Sequence, residues 1–413
     1  MNFTYETLHH FSMNLMFILF LLLIPFQDSG LSETAFGFMG LYLSNIPLIL
    51  MFLLSLIYMF YRRCIYIPSL YAVLTAFAYM FLYSLMICWY VGTDITVSIY
   101  KTTVGCLALI LQIYVFFISK NRMNLVKKYI WLSFIVNLIG WLLCDILNID
   151  MGILVHRSFG DARFHGFASE TSWFSFTTMI LGILSIASAK SNVMRIFYFI
   201  SMISVVLWGG SKGTLTCLVL AGLIYILFDR QIKFYVKPIL LVLVTMFIAF
   251  IVQNFLLDSF TYDLSESTSF ATRGASIIAS IIIFFEYPFG TGYGAFQDIL
   301  RLHYIEAFDI LNSYIPIFAL SYREIVGMIY DPKGVGLAIK GIFFQYIAYF
   351  GIPFLFVIAM GMKRLKNSLC VLNGYWKISC MFIVISLLTF AQMFYDSILF
   401  FAVITTMKDY YRS

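Results

Sequence analysis

The chain has 413 residues, of which 62% are hydrophobic and only 11% charged, where soluble domains carry roughly 25% charged residues. Its 44 Phe and 28 Tyr are more bulky apolar surface than a water-soluble core of this length can hide, which excludes an ordinary soluble domain. The net charge of +6 sits in short basic stretches between apolar runs and carries no nucleic-acid signal.

Apolar runs recur from end to end at about 17–25 residues, the length that crosses roughly 30 Å of hydrocarbon as a helix. In chain order they fall near 10–27, 37–60, 65–91, 102–119, 129–148, 171–189, 196–210, 213–228, 238–257, 339–361, 375–393 and 394–407. Lipid offers the backbone no hydrogen-bond partner, so such runs must be helical. Alternating strands of an outer-membrane barrel are not found. The fold class expected is therefore an all-α polytopic membrane protein of about twelve spans, a single integral membrane domain over residues 1–413. The weakest boundary lies between the last two runs, where Asp396 and Ser397 offer only a slight turn.

With both termini cytoplasmic, Arg62-Arg63, Lys120 to Lys128, Lys190 to Arg195, Arg230 to Lys237, Lys363 to Lys366, Lys377 and Lys408 to Arg412 lie inside, 17 of the 26 Lys and Arg. Of the acids, only Glu6, Asp229 and Asp409 join them. The reverse orientation violates the positive-inside bias. Met1 to His10 has no Lys or Arg and no small-residue cleavage site follows Phe26, so the first run reads as a span rather than a cleaved signal. The seven cysteines form no CxxC pair and suggest neither a metal site nor a disulfide framework.

Two extracytoplasmic loops are long, residues 149–170 and residues 258–338. The second is too rich in Ile, Phe and Tyr to be disordered by composition. Within it, Ala275 to Phe285 is too short to span and ends at Glu286, Pro288 and Gly290-Thr-Gly292-Tyr-Gly294, which predicts an interfacial or re-entrant helix and a tight turn. A second amphipathic stretch runs from Phe296 to Leu311. No internal repeat is found, which weakens a transporter reading.

The unusual charges are the cations outside: Arg157, Arg163, Arg273, Arg301, Arg323, Lys101, Lys212, Lys333 and Lys340. A guanidinium fork binds phosphate or carboxylate oxygens in pairs, so a cluster of them suits a lipid-linked pyrophosphate; the bland alternative is pairing with outer acids. Tyr293, Tyr304, Tyr314, Tyr322 and Trp173 read better as an interfacial aromatic belt than as sugar platforms. Gly209-Gly210-Ser211-Lys212-Gly213 lacks the strand and spacing of a phosphate loop and reads as a tight turn presenting Lys212.

Three segments carry a family resemblance. Arg163-Phe-His-Gly-Phe-Ala-Ser-Glu170-Thr-Ser-Trp resembles the "R-x-x-G-x-x-x-E-P-S" stretch of O-antigen polymerases, with Thr171 where the family has proline. Arg273 followed by an apolar stretch and Glu286-Tyr-Pro-Phe-Gly-Thr-Gly-Tyr-Gly294 resembles the "R…P-hydrophobic-G-x-G-x-G" element shared by O-antigen polymerases and ligases. Phe344-Gln345-Tyr-Ile-Ala-Tyr-Phe-Gly351-Ile-Pro-Phe resembles the span-opening "l-Q-x-L-a-x-x-G-i-x-G" of the same superfamily. The pieces occur in the family's order. Ligases carry a histidine where Lys340 stands, so the polymerase is the closer resemblance.

The resemblance implies a GT-C-like integral-membrane glycosyltransferase of the bacterial inner membrane that needs no metal or cofactor. Donor and acceptor would be undecaprenyl-pyrophosphate-linked oligosaccharides, and a chain-length regulator protein is a possible partner. Arg163 and Arg273 would hold the pyrophosphate, supported by Arg323, Lys340 and Lys212, since preorganised cations stabilise charge on a leaving group. Candidates for a base at the acceptor hydroxyl are Glu170, His165 and His303, with partial burial expected at Glu170. A ligase acting on lipid A core and a flippase for the lipid-linked unit are the alternatives.

Overall fold

The computed structural model describes residues 5–27, 29–33, 41–62, 67–154, 165–168, 170–209, 211–229, 232–251, 268–314, 323–330, 337–369, 372–391 and 394–412. Among these residues every regular element is helical. The helices are α1 (Tyr5–Leu23), α2 (Asn45–Arg62), α3 (Ile67–Val91), α4 (Ile95–Asn121), α5 (Met123–Gly140), α6 (Thr171–Ser188), α7 (Asn192–Trp208) and α8 (Lys212–Phe228). They continue with α9 (Val236–Ile251), α10 (Thr268–Glu286), α11 (Gly292–Tyr314), α12 (Arg323–Tyr330), α13 (Ile342–Leu369), α14 (Gly374–Thr389) and α15 (Tyr395–Arg412). Each of the twelve expected apolar runs overlaps one of these helices, and α10, α11 and α12 fall inside the long loop.

Five helical stretches are long and apolar enough to cross a membrane: Glu6–Leu23, Ile95–Asn121, Met123–Ile146, Thr171–Ser188 and Ile342–Leu369. Several helices also expose apolar residues at helical spacing. Leu8, Phe11, Leu15 and Leu19 do so on α1, and Ile239, Val242, Leu243 and Met246 on α9. A face of this kind is unfavourable in water and suited to lipid.

The chain divides into two compact units. The first comprises Met1–Ala72, Leu109–Leu215 and Phe394–Ser413. In it α6 is the central element, packed on α5, α7 and α15, while α1 packs on α2 and α5. Within its apolar window 72% of α6 is buried, against 22–33% for the other four candidate spans, so α6 meets protein where those helices meet their surroundings. Its polar side chains are matched accordingly. Asn137 Nδ2 donates to Thr178 Oγ1 at 2.7 Å, Gln27 Nε2 donates to Thr177 Oγ1, and Thr177 Oγ1 donates to the fully buried Asp396 at 2.6 Å. The α5 helix ends in a π-helical turn, Trp141–Ile146.

The second unit comprises Val73–Ala108 and Thr216–Met393. Its centre is the antiparallel pair α10 and α11, joined by the turn at residues 287–291 and packed on α12 and α13. Ala271, Ala275 and Ala279 recur every fourth residue on α10 and are fully buried, a small-residue face that lets helix axes approach closely. Tyr304 of α11 is fully buried too, and its hydroxyl donates to Thr272 O at 3.2 Å. In the same unit, Lys377 Nζ donates to Asp229 Oδ2 at 2.9 Å, which joins the end of α8 to the start of α14.

The long-loop helices are longer than the apolar pattern predicts. The stretch Ala275 to Phe285 belongs to a helix that begins at Thr268, because the polar and small residues Thr272, Ala271 and Ser276 turn inward. The stretch Phe296 to Leu311 lies within a helix spanning Gly292–Tyr314.

Candidate functional site

The turn after α10 is built by glycine. Gly290 and Gly292 have φ of +92° and +66°, a region that side chains with a Cβ avoid. The turn docks onto a break in α13 at Gly351, whose φ is +57° and ψ −136°. Thr291 N donates to Ala348 O and Ile352 N to Pro288 O, both at 2.8 Å. On its other side, Gly294 N donates to Ser84 Oγ at 3.0 Å, and Ser84 shares a 2.8 Å hydrogen bond with Thr102. A Cβ on Gly294 would lie 2.5 Å from Cys88 Sγ. Two of the three segments that carry the family resemblance are thus mechanically one object. The glycines serve close backbone approach, and the amides of Gly290 and Gly294 are spent on Tyr287 O and Ser84 Oγ.

Two candidate cations lie near the other end of α10, about 20 Å along the helix from the turn. The Arg273 guanidinium lies over the Phe390 ring, 5.8 Å from its centroid. One turn along α10, Ser276 Oγ donates to Arg273 O at 2.8 Å and accepts from Lys340 N at 3.5 Å. Lys340 Nζ is 4.0 Å from Glu324 Oε1, and the same carboxylate accepts from Thr272 Oγ1 at 2.7 Å. Arg273 and Lys340 therefore converge on the amino-terminal half of α10, with Glu324 as a partial counter-charge. Arg323 opens α12, but its side chain lies outside the described residues.

The remaining candidates divide as follows. Arg163 lies outside the described residues, as does Arg157. Lys212 is the first residue of α8 and half-buried; just before it, the Ser211 and Thr214 hydroxyls pair at 2.9 Å. His303 bridges the α10–α11 pair, with Nε2 3.0 Å from Glu286 Oε2 and Nδ1 3.4 Å from Glu306 Oε2. Glu170 stands at the N-cap of α6, exposed rather than partly buried, and accepts from Ser172 Oγ at 3.2 Å. Its extended backbone at the helix start turns the side chain away from the packed face. His165 is buried, at 6% exposure, and its Nδ1 has no hydrogen-bond partner among the described residues.

Three features escape the sequence reading. Asp145, at the end of the π-helical turn, accepts from His165 N at 3.3 Å and Gly166 N at 2.7 Å, and so fixes the turn that carries His165. Asp396, read as part of a slight turn, is a fully buried carboxylate that also accepts from Ser397 N at 2.6 Å. Burial also corrects the aromatic belt. Tyr304 is in the core, and Tyr293 packs on Tyr349 with centroids 4.6 Å apart. Tyr314 is exposed, Trp173 meets Phe394 edge-on at 5.2 Å, and Tyr322 lies outside the described residues. Buried ionisable groups in a membrane protein are functional candidates by default, and that is the signal that Asp396 offered.

Comparison with protein-family models, with curated proteins and with solved structures finds no match to the chain.

Proposed function

We propose that the protein is an integral-membrane glycosyltransferase that polymerises lipid-linked oligosaccharide repeat units at the outer face of a bacterial cytoplasmic membrane. In this reading it has about twelve spans, a GT-C-like architecture and cytoplasmic termini. One observation carries the reading: Arg273 and Lys340 come together on the amino-terminal half of α10, a helix whose other end is fixed by the glycine turn seated on the Gly351 break of α13. The two segments lie far apart in the sequence, and their direct docking supports a common purpose.

The chemistry is displacement at an anomeric carbon. An acceptor sugar hydroxyl attacks, the bond from that carbon to the pyrophosphate oxygen breaks, and undecaprenyl pyrophosphate leaves with the electron pair. Arg273 and Lys340 place positive charge where negative charge develops. The hydroxyl proton passes to a base, with Glu170, His165 and His303 as the residues to replace one at a time. Deletion of the gene, followed by gel analysis of surface polysaccharide, tests the reading. Loss of the ladder with at most one repeat unit on lipid A is expected. Naked core beside polymer on the carrier would instead mean a ligase, and an unchanged ladder would refute both.

One observation favours transport of the lipid-linked unit as a second reading, namely the fully buried Asp396 held by Thr177 and Ser397. Transporters use such intramembrane carboxylates. If Asp396→Asn leaves the repeat unit trapped on the cytoplasmic side of the membrane, the flippase reading takes precedence.

A further inference from the structure

We infer that the junction of α5, α6 and α7 is a sugar-binding subsite, in which Thr171, Ser175, His165 and Trp141 hydrogen-bond the hydroxyls of a glycan. The inference rests on the glycosyltransferase reading for the identity of the ligand, and on the geometry below for its place.

Hydroxyls on the helices of this protein mostly fold back onto the preceding turn. Thr178 donates to Phe174 O, Ser188 to Leu184 O, Ser379 to Tyr375 O and Ser386 to Phe382 O, at 2.7–2.8 Å. Ser175 and Thr171 do not. Both are buried, at 0% and 4% exposure, and neither Oγ has a hydrogen-bond partner among the described residues. One turn apart, they share a face of α6. The backbone just past the end of α7 crosses above them at a glycine, since a Cβ on Gly209 would lie 3.5 Å from Ser175 Oγ and 3.8 Å from Thr171 Cγ2.

Two further buried atoms on these segments, Nε1 of Trp141 and Nδ1 of His165, have no hydrogen-bond partner among the described residues. Trp141 and Trp173 pack against the cluster of Ala168, Phe174 and Val205, and the Trp141 and Trp208 rings lie 6.1 Å apart at 66°. Three of the six tryptophans in the chain are thus at this one junction. Buried polar atoms without partners are costly and rare in folded proteins, and four without partners among the described residues, on the segments that meet around the start of α6, suit a ligand that both donates and accepts. Sugar hydroxyls do both, and the apolar faces of a sugar ring suit indole. A lipid tail would leave all four atoms unpaired. A phosphate would need a cation, and none of these side chains is Lys or Arg.

The test is saturation-transfer NMR on the protein in nanodiscs, with the repeat-unit oligosaccharide released from the host's lipid carrier by mild acid as probe. Thr171→Val and Ser175→Ala each remove one hydrogen-bonding atom at nearly constant volume, and Trp141→Phe removes the indole N–H together with one ring. Wild type should bind, while each of the three variants should weaken binding at least five-fold; for Thr171→Val and Ser175→Ala the thermal midpoint should stay at wild type. Should one variant fail to fold, the other two still decide. Absence of binding to wild type, or unchanged binding in the three variants, overturns the subsite. The ladder of the gene deletion reports separately: an unchanged ladder beside variant-sensitive binding would sink the polymerase and leave the subsite standing.

Discussion

Gly290 and Gly351 face each other across the joint between the α10–α11 turn and α13, so closely that neither position tolerates a side chain. A Cβ on Gly351 would lie 2.6 Å from Gly290 N, and one on Gly290 would lie 2.6 Å from Phe350 N. Both are backbone atoms that cannot swing aside, and both glycines have positive φ.

Gly290→Ala and Gly351→Ala should therefore each destabilise the protein by about 2–5 kcal/mol, the sum of a left-handed backbone penalty and overpacking. The double variant should cost clearly less than the sum, because either change alone already opens the joint. Thermal unfolding of the four proteins in nanodiscs measures this. Full additivity would show that the two sites act independently.

The Lys377–Asp229 pair makes a second prediction. The Asp229 side chain is 4% exposed and that of Lys377 18%, so Lys377→Met leaves a buried carboxylate without its cation. A loss of about 3 kcal/mol is expected, at the low end for buried pairs because the lysine is partly solvated. Asp229→Leu in the Lys377→Met background should restore most of it. If the double variant is no better than the single, the pair is not what holds the two helix ends.

Replacement of Arg273 or Lys340 should act on activity more than on folding. Arg273→Ala is expected to lower polymer formation about 10²-fold or more, the usual consequence of losing one preorganised charge on a leaving group. Lys340→Ala should follow it in direction, and Arg163→Ala should match Arg273→Ala. Lys340→His should confer no ligase activity. Protein level and reporter topology, measured alongside, should stay at wild type. Full-length polymer from Arg273→Ala would remove that residue from the site.

Burial holds the Tyr304 phenol well above its ordinary value, with the Glu324 carboxylate adding to the effect. An acid whose pKa is raised by folding stabilises the folded state while it is neutral. That contribution is complete below about pH 10, the unfolded value, and declines as pH rises beyond it, because the unfolded chain then gives up the proton first. Wild type should lose stability more steeply above pH 10 than Tyr304→Phe, which at neutral pH is lower by about 1 kcal/mol for the lost hydrogen bond to Thr272 O. Parallel pH profiles for the two proteins would contradict this.

Helix positions were the most legible part of the fold, since a run of apolar residues near Phe17 or Leu111 reports its own helix. Pairings between distant segments were not. Nothing local to Asp396 announces that Thr177, 219 residues earlier, will donate to it, and nothing near Asp145 announces the turn at His165. Of the candidate site, the cations Arg273 and Lys340 were legible because they run against the charge bias in the topology expected from the sequence. Their convergence was not, because it depends on Ser276 bonding the Lys340 backbone. Tyr304 was misplaced for a related reason. An amphipathic helix in a loop presents tyrosines on either face, and only the small residues of α10 decide which one sinks.

The enclosure of α6 by its neighbours has a consequence for life in different membranes. A helix that touches lipid must tilt, stretch its surroundings or be thinned upon when bilayer thickness changes with temperature or lipid composition. With α6 buried over 72% of its window, such strain would fall on α1 and the other helices with exposed apolar faces. Thr171, Ser175 and the turn at His165 then keep their spacing while the membrane around them varies.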